Sequence, residues 1–268
     1  MWARWRPSLW VGFWTWLAGL GLYVVATFVA WLPYQNLSDQ FQLDGVSPPP
    51  ASAWQAYQVW HQWDTVWYVI IADLGYTYDE RSTAFFPLYP LLVRGVSTVL
   101  PIGTFEAALL VSVLSCLAAL ILVHRLATEV AGPAVARRAT FYLLAFPTGF
   151  YLAAAYNESL FIALVAASLY CMRRGSWWWA GMWAAYASAT RLAGVLLGVV
   201  FAFEYLRQKG FSPRRIRFDA LAIGLVPTGI LMYAWYCARV YGDPLHFLEA
   251  QRHWFRDGYQ PPWTTVWQ

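Results

Sequence analysis

The stretch SLWVGFWTWLAGLGLYVVATFVAWL, residues 8–32, carries no charged residue and follows Arg4 and Arg6. A helix needs about 20 mostly apolar residues to cross a membrane, so this stretch is long enough. It is longer than the apolar core of a signal peptide, and no small-residue cleavage site follows it. We therefore interpret it as a retained membrane helix.

The composition extends this interpretation to the rest of the chain. Of the 268 residues, 60% are hydrophobic and 12% are charged, whereas soluble domains carry about 25% charged residues. Aromatic residues reach 19%, and such rings are enriched at membrane interfaces. The formal charge is +4, but the basic residues lie in short clusters between apolar stretches, which argues against nucleic-acid binding. The sequence predicts an all-α, polytopic membrane protein.

Further apolar stretches bring the predicted number of membrane helices to about seven. They lie at 105–126, 139–155, 159–172, 177–190, 192–206 and 219–239. Most of the 18 basic residues lie at 1–7, 124–138, 173–176 and 204–219. By the positive-inside rule these segments, and with them the N-terminus, are cytoplasmic.

Two large loops then fall on the outer side, at 33–104 and 240–268, within a single transmembrane domain that covers 1–268. Long loops between neighbouring spans are uncommon unless they are functional. We therefore expect the first outer loop to be catalytic and to carry interfacial helices.

The segment WHQWDTVWYVII, residues 60–71, contains the main candidate residue, Asp64. Helical spacing puts Trp60, Trp63, Trp67 and Ile71 on one stripe, which predicts a helix in the headgroup plane with its rings towards the membrane. Partial desolvation there raises a carboxyl pKa towards values useful for a general base. A helix cap or an ion-pair partner for an arginine is the alternative role of Asp64.

The segment AFFPLYP, residues 84–90, has two prolines three positions apart, which predicts an irregular segment rather than a helix. We expect Phe85, Phe86 and Tyr89 to anchor it at the membrane interface.

Arg191 lies between two apolar stretches, and an ionisable residue at membrane depth is a functional hypothesis by default. It could bind a phosphate, or it could form a purely structural ion pair with Glu158. The residues alone leave both roles open.

We expect no cofactor, because no Walker loop, GxGxxG, HExxH or GxSxG motif occurs. The histidines show no pairing at the spacing of two metal ligands. A single acidic residue in the main motif argues against a bound divalent metal.

Five segments, in this order, resemble the PIG-V-type mannosyltransferase family, which comprises the enzyme that adds the second mannose in GPI-anchor biosynthesis and its bacterial relatives. The matching residues are Trp63-Asp64-x-x-x-Tyr68-x-x-Ile71-Ala72-x-x-Gly75-Tyr76, Ala84-Phe85-Phe86-Pro87-Leu88-Tyr89-Pro90, Tyr156-Asn157-Glu158-Ser159-Leu160-Phe161, Ala189-Thr190-Arg191-x-x-Gly194 and Gly242-Asp243-Pro244-x-x-Phe247-x-x-Ala250-Gln251-x-x-Trp254. The last segment resembles the bacterial branch in particular.

The resemblance implies a GT-C glycosyltransferase, a multi-helix membrane enzyme that uses polyprenyl-phosphate sugars. It implies that Asp64 is the catalytic base and that mannose passes, with inversion, from a polyprenyl-phosphate-mannose donor to a lipid-linked or surface glycan acceptor. A leaving phosphate needs positive charge or oriented donors. The candidates for that role are, in order, Arg191, Arg94 and His61. The expected substrate pocket consists of Trp63, Trp67, Tyr68, Tyr89, Asn157 and Glu158.

The resemblance also sets expectations about location and partners. The arginine-rich, lysine-poor composition suits a prokaryote, so we expect a bacterial plasma membrane with the active site on the outer, periplasmic face. Membrane lipids, the lipid-phosphate donor and an acceptor of unknown identity are the expected partners. Family members continue through further helices, so we expect this chain to be short at its C-terminal end. A partner subunit that supplies the missing part is one consequence of that expectation.

Two further expectations concern acceptor and function. The residues after Arg191 are Leu192-Ala193-Gly194, less polar than in eukaryotic members, so acceptor recognition is expected to differ. The alternative function is a non-catalytic membrane subunit or a transporter for lipid-linked saccharides. A transporter would place its key polar residues near mid-bilayer, whereas most acids here lie in the first outer loop.

Overall fold

The computed structural model describes residues 2–34 and 52–252, and every regular element within these ranges is helical. The predicted all-α membrane fold is confirmed. Parts of both predicted outer loops, at 35–51 and 253–268, lie outside the described residues. Of the first loop the structure describes 33–34 and the residues from Ser52 onward, and of the second it describes the residues up to Arg252.

Within these ranges the chain forms ten α-helices joined by short connections and 3₁₀ segments. The helices are α1 (Trp2–Tyr34), α2 (Asp64–Leu74), α3 (Leu88–Val99), α4 (Thr104–Ala131), α5 (Pro133–Ala145), α6 (Glu158–Arg173), α7 (Trp177–Ser188), α8 (Leu197–Gln208), α9 (Thr228–Tyr241) and α10 (His246–Arg252). The longer 3₁₀ segments are Ala53–Trp60, Glu80–Ala84, Leu192–Leu196 and Phe218–Leu225.

Two of the described helices are long and apolar enough to cross a membrane, α1 over Arg4–Leu32 and α4 over its full length. A third span results if Phe218–Leu225 and α9, which bend by 43° at their junction, count as one. The predicted number of seven spans is therefore not confirmed. The predicted stretch 139–155 is broken because α5 ends at Ala145, and Phe146, which precedes a proline, takes an extended backbone.

The core forms around α4, which packs against α1, α3, α5 and α6. A second layer forms where α7 packs against α9 and the 3₁₀ segment Phe218–Leu225. These backbones approach closely, since a Cβ on Gly181 of α7 would lie 2.3 Å from the Ala222 carbonyl oxygen. Close packing through small residues is how membrane helices associate when no hydrophobic force drives them together.

The bundle has two ends of different charge. At one end, which we call the basic end, Arg125 donates to the Arg4 carbonyl at 2.8 Å and pairs with Glu129, while Arg174 lies 3.8 Å from Glu129. At the other end, the site end, the starts of α2 and α6 meet the link between α7 and α8. The 16 residues of α6 separate the two ends by about 24 Å at the helical rise of 1.5 Å per residue.

The predicted aromatic stripe of the first loop is wrong. Trp60 ends a 3₁₀ segment and stacks on Tyr23 of α1 with 4.7 Å between ring centroids. Trp63 precedes α2 with a φ of 53°, a value that interrupts a helix, so residues 60–63 and α2 do not form one continuous face. Trp63, which precedes α2, is exposed, whereas Tyr68 and Ile71 of α2 are buried in the core and Trp67 packs against it.

The proline segment also differs from the prediction, because it starts a helix. Leu88 opens α3 directly after Pro87, and Pro90 lies in the first turn. Backbone N–H groups of a first turn have no partner in the helix, so proline is tolerated there. The aromatic residues expected at the membrane interface are instead buried in the core: Phe85, Phe86 and Tyr89.

Candidate active site

Three charged side chains from separate parts of the chain meet at the site end. Asp64 opens α2, Glu158 opens α6, and Arg191 lies between α7 and the 3₁₀ segment Leu192–Leu196. The Arg191 Nη1 atom lies 2.7 Å from the Glu158 Oε1 atom. Asp64 is close enough to both for each charge to shift its pKa. Glu158 thus pairs with Arg191, and the charges of both act on the Asp64 carboxylate.

The environment of Asp64 raises the pKa of its carboxyl group above the ordinary aspartate value. Burial is the largest cause, the negative charge of Glu158 adds to it, and the positive charge of Arg191 opposes it. Among the described residues, none donates a hydrogen bond to this carboxylate. A carboxylate with a raised pKa and free oxygens is suited to accept a proton from a substrate hydroxyl.

A buried hydrogen-bond framework holds the start of α6 in place. The Ser112 hydroxyl of α4 donates to the Tyr156 carbonyl at 2.8 Å, and the Ser159 hydroxyl donates to the Ser112 carbonyl at 2.9 Å. From α3, the Tyr89 hydroxyl donates to the Ala108 carbonyl at 2.9 Å and lies 2.7 Å from the Ser112 hydroxyl. Buried polar groups with all partners present rigidify a core, so Glu158 is presented from a fixed backbone.

The backbone around Arg191 is fixed by two further contacts. The Asn157 side-chain amide donates to the Thr190 carbonyl at 3.0 Å, and the Leu88 backbone N–H donates to the Ala189 carbonyl at 3.0 Å. Gly194 permits the turn that follows, because a Cβ there would lie 2.4 Å from the Ala187 carbonyl carbon. The spacing Arg191-x-x-Gly194 thus reflects a backbone that must lie against the end of α7.

The start of α2 is set by its neighbours as well. The Thr65 hydroxyl, which is fully buried, donates to the Ala155 carbonyl at 3.3 Å and ties α2 to the segment before α6. At the other end of α2, Gly75 has a φ of 79°, a left-handed value that glycine adopts without strain and that ends the helix. Asp64 therefore lies on a short helix held at both ends.

The structure brings four of the predicted site residues together: Asp64, Tyr68, Glu158 and Arg191. The Tyr68 ring is buried and contacts the Tyr89 ring edge to face at 4.7 Å. The charges of the other three act on the Tyr68 hydroxyl, so that hydroxyl faces them.

The other predicted pocket residues take different positions. Tyr89 is 0% exposed and Asn157 is 4% exposed, so both belong to the framework behind the site, and the substrate contact predicted for them stays a prediction. Trp63 is exposed at the rim, directly before Asp64. Trp67 stacks on Phe85 at 5.9 Å and lies under the guanidinium of Arg81.

Two predicted phosphate ligands lie apart from the three charged residues. The His61 ring stacks on Phe105 at 4.7 Å, and the charge that acts on it is that of Glu106. Burial lowers the pKa of His61, so at neutral pH it offers an N–H donor rather than a positive charge. Arg94 is exposed on α3 and lines an apolar groove.

That groove, which we call the α3 groove, has a volume of about 530 Å³. Its walls come from the end of α2, from α3, α7 and α9, and are mainly apolar and aromatic. They include Tyr76, Leu91, Tyr186, Met232, Tyr233 and Tyr236. Ala189, two residues before Arg191 in the chain, also lines it. A second groove of about 560 Å³, the Glu158 groove, runs between α5 and α6 and has Glu158 in its wall.

Sequence reasoning missed the roles of Tyr156 and Ser112. Tyr156 is 4% exposed and lies beside Asp64 and Glu158. Ser112 joins α3, α4 and α6 through its side chain and carbonyl. The available signal was a serine inside an otherwise apolar span, since a buried hydroxyl needs a partner.

A family model described as "Mannosyltransferase (PIG-V)" matches residues 40–254. The chain belongs to the PIG-V mannosyltransferase family. The matched range contains each of the segments that form the charged centre and its framework.

The chain is also similar to curated members of the PIG-V family. It is 30% identical over 236 residues to GPI alpha-1,6-mannosyltransferase 2 of Rattus norvegicus, which covers 75% of this chain and 47% of that protein. The corresponding protein of Homo sapiens is 29% identical over 233 residues, with the same coverage of both chains. That of Cricetulus griseus is 35% identical over 146 residues, or 50% of this chain and 29% of that protein. The chain therefore spans at most about half the length of these relatives, and no solved structure gives a significant match.

Proposed function

We propose that this chain transfers mannose, with inversion, from a polyprenyl-phosphate-mannose donor to a hydroxyl group of a lipid-linked or surface glycan acceptor. The observation that carries the proposal is the position of Asp64 beside both Glu158 and Arg191. It provides a proton acceptor and a fixed positive charge within one polar centre at the end of an apolar bundle. Family membership supports mannosyl transfer in a membrane.

In the proposed reaction Asp64 accepts the proton of the acceptor hydroxyl while that oxygen forms a bond to the anomeric carbon. The bond between the anomeric carbon and the phosphate oxygen breaks on the opposite face of the sugar, which inverts the configuration. The electron pair leaves with the lipid phosphate. Asp64 needs to be deprotonated to begin this step, and its raised pKa strengthens it as a base near neutral pH.

Arg191 is the proposed ligand of the leaving phosphate. Its Nη1 atom is engaged by Glu158, but the side chain is 43% exposed, so its remaining N–H groups are available. A preorganised positive charge stabilises the negative charge that develops on a leaving phosphate. In this role the ion pair with Glu158 orients the guanidinium rather than serving stability alone.

The α3 groove is the proposed site of the prenyl chain. It is lined by apolar and aromatic side chains and carries Arg94 in its wall. No acidic side chain of the described residues pairs with Arg94, so it can contact a headgroup or a phosphate. Trp63 at the rim is placed to cover a sugar ring, as an exposed aromatic face beside a polar centre commonly does.

The site end is proposed to face the outer, periplasmic side of a bacterial plasma membrane. What supports this orientation is the gathering of the predicted cytoplasmic basic segments at the opposite end of the bundle.

The proposal is tested by mannose transfer from polyprenyl-phosphate-mannose, measured with the purified full chain in proteoliposomes. We expect Asp64→Asn to lower turnover by about 10³-fold, within the range that general bases contribute. Asp73→Asn is the matched control, because Asp73 lies on the same helix, is exposed and accepts a hydrogen bond from Thr104. It is expected to keep turnover within about twofold of wild type, as surface substitutions away from a site have little effect.

Two results would contradict the proposal. Turnover by Asp64→Asn equal to that of wild type would remove Asp64 as the base. Donor binding by the wild-type chain without any turnover would favour the non-catalytic subunit instead.

A further inference from the structure

Three side chains that can bind a metal lie together at the corner between α9 and α10. They are Asp243, His246 and Glu249, and one ligand atom of each lies within 4.8 Å of the others. The expectation of no divalent metal rested on the single motif acid Asp64 and on the lack of two histidines at ligand spacing. Neither ground covers one histidine combined with two carboxylates. Asp243 is a named residue of the motif Gly242-Asp243-Pro244-x-x-Phe247-x-x-Ala250, whereas His246 and Glu249 stand at positions that the motif leaves unspecified.

The backbone of the corner explains why the three side chains converge. Gly242 ends α9 in the left-handed conformation, with a φ of 77°, and reverses the chain. His246 and Glu249 are three residues apart on α10 and therefore point to the same side of that helix. The Asp243 Oδ1 atom accepts from the Leu245 backbone N–H at 2.9 Å, which fixes the carboxylate and leaves its second oxygen free for a ligand.

The imidazole of His246 is held in a fixed orientation. It stacks on the ring of Tyr241 at 4.3 Å with 13° between the planes, and the Tyr241 hydroxyl donates to the Tyr76 carbonyl at 2.8 Å. Its Nε2 atom is buried and has no hydrogen-bond partner among the described residues. A buried ring nitrogen without a partner is costly, and a bound ion or a ligand of that ion would satisfy it.

The helix that carries two of the ligands is itself anchored. Phe247 is 2% exposed and contacts the rings of Phe86 and Tyr233, each at 5.6 Å between centroids. Ala250 is buried on the same face. The opposite face keeps Glu249 exposed, so the cluster is open to solvent on one side and rigid on the other.

We propose that Asp243, His246 and Glu249 bind a divalent transition-metal ion, Mn²⁺ or Zn²⁺. One imidazole nitrogen with two carboxylates suits these ions better than Mg²⁺ or Ca²⁺, which prefer oxygen ligands alone. Three protein ligands leave open coordination positions for water or an anion, as catalytic and substrate-binding sites do. The Tyr76 carbonyl accepts from the Tyr241 hydroxyl and Tyr76 lines the α3 groove, so the ion would fix a corner that is tied to the wall of that groove.

The test is a binding measurement on the full chain, purified in detergent and stripped with a chelator, and it does not depend on turnover. Mn²⁺ is titrated and followed by electron paramagnetic resonance, and Zn²⁺ is then added as a competitor. We expect one Mn²⁺ per chain, with at least tenfold weaker binding in His246→Gln and in Glu249→Gln. His61→Gln and Asp73→Asn, which alter a half-buried histidine and an exposed carboxylate elsewhere, are expected to bind as wild type does.

Thermal unfolding provides a second readout. We expect the ion to raise the midpoint of wild type and of the two controls but not that of Glu249→Gln, whose exposed side chain can be changed without disturbing the fold. Displacement of Mn²⁺ by Zn²⁺ at equal concentration would identify Zn²⁺ as the preferred ion. Absence of stoichiometric binding of both ions, or unchanged binding in both ligand variants, would overturn the proposal.

Discussion

The two ends of the bundle use the same kinds of charged residue but balance them differently. At the basic end each described carboxylate has at least one cation: Glu129 has Arg125 and Arg174, Glu204 has Arg207, and Asp219 has Lys209. At the site end Arg191 pairs with Glu158, and Asp64, on which the charges of both act, forms no ion pair of its own among the described residues. Where each carboxylate has its own cation, the ion pairs contribute to stability. Where carboxylates outnumber cations, the pKa of one carboxyl group is raised and that group can accept a proton. The difference indicates where chemistry can occur in a fold whose composition is almost uniformly apolar.

The pairs also differ in how they are assembled. Arg125 and Glu129 are four residues apart on α4, so a single helix brings them together. Arg191 and Glu158 are 33 residues apart and meet only because Asn157, Thr190 and the Ser112 framework hold their backbones. An ion pair that requires so much surrounding structure is expected to serve a function at the site as well as stability.

The largest effect that separates the two ends is expected from Arg191→Met. Removing one donor that stabilises transition-state charge lowers kcat by about 10²–10³-fold, and we expect a loss of that size in mannose transfer. Arg174→Met is the matched control, since Arg174 is 47% exposed against 43% for Arg191 and also pairs with a glutamate. It is expected to change activity by less than about twofold, as exposed ion pairs contribute little. Equal losses in the two variants would contradict the assignment of chemistry to the site end.

The reverse asymmetry is expected for stability. Arg125→Met removes the nearer of the two cations of Glu129, together with the donor to the Arg4 carbonyl, at a position where the arginine is only 7% exposed. Breaking a buried pair in this way costs about 3–5 kcal/mol. Denaturant unfolding in mixed micelles measures it. Arg207→Met, which removes an i,i+3 pair with a half-exposed arginine, is expected to have a much smaller effect on the free energy of unfolding. Similar costs for both variants would mean that burial does not distinguish these pairs.

A smaller effect is expected where the backbone of Arg191 lies against α7. Gly194→Ala places a Cβ 2.4 Å from the Ala187 carbonyl carbon, and overpacking of this kind costs about 1–3 kcal/mol. The Gly194 N–H donates to the Arg191 carbonyl at 2.9 Å, so the strain displaces Arg191, and we expect about a tenfold loss of turnover. Gly198→Ala meets only ordinary contact, at 3.7 Å from Val226. It is expected to leave turnover unchanged. A loss of turnover in Gly198→Ala as large as that in Gly194→Ala would mean that the effect does not depend on the position of Arg191.

Part of this arrangement could be predicted from the sequence. Residues 8–32 and 105–126 are long and apolar enough to define α1 and α4 by length alone. Asp64, Glu158 and Arg191 each stand out as ionisable groups beside apolar stretches, which marks them without any knowledge of the fold. The charge pattern also identified the segments that gather at the basic end.

The rest depended on contacts between distant residues. The prediction of a tryptophan stripe was wrong because the periodicity of the sequence does not show the turn at Trp63, whose φ is positive. The prediction of an irregular segment at 84–90 was wrong because the effect of Pro90 depends on whether it falls in the first turn or in the interior of a helix. The metal-binding corner was not predicted because Asp243 approaches His246 through a chain reversal rather than along one helix.

The central claim is that Asp64 acts as a base whose pKa is raised by burial and by the charge of Glu158. The most direct test is the pH dependence of kcat/KM for wild type and Glu158→Gln. The base works only when deprotonated, so activity falls as pH drops through its pKa, and a raised pKa places this fall at higher pH than an ordinary aspartate would. Removing the negative charge of Glu158 lowers that pKa, so the account predicts that the fall moves to lower pH, while Glu106→Gln, which acts on His61, leaves it in place. A fall at the same pH in wild type and Glu158→Gln would contradict the account.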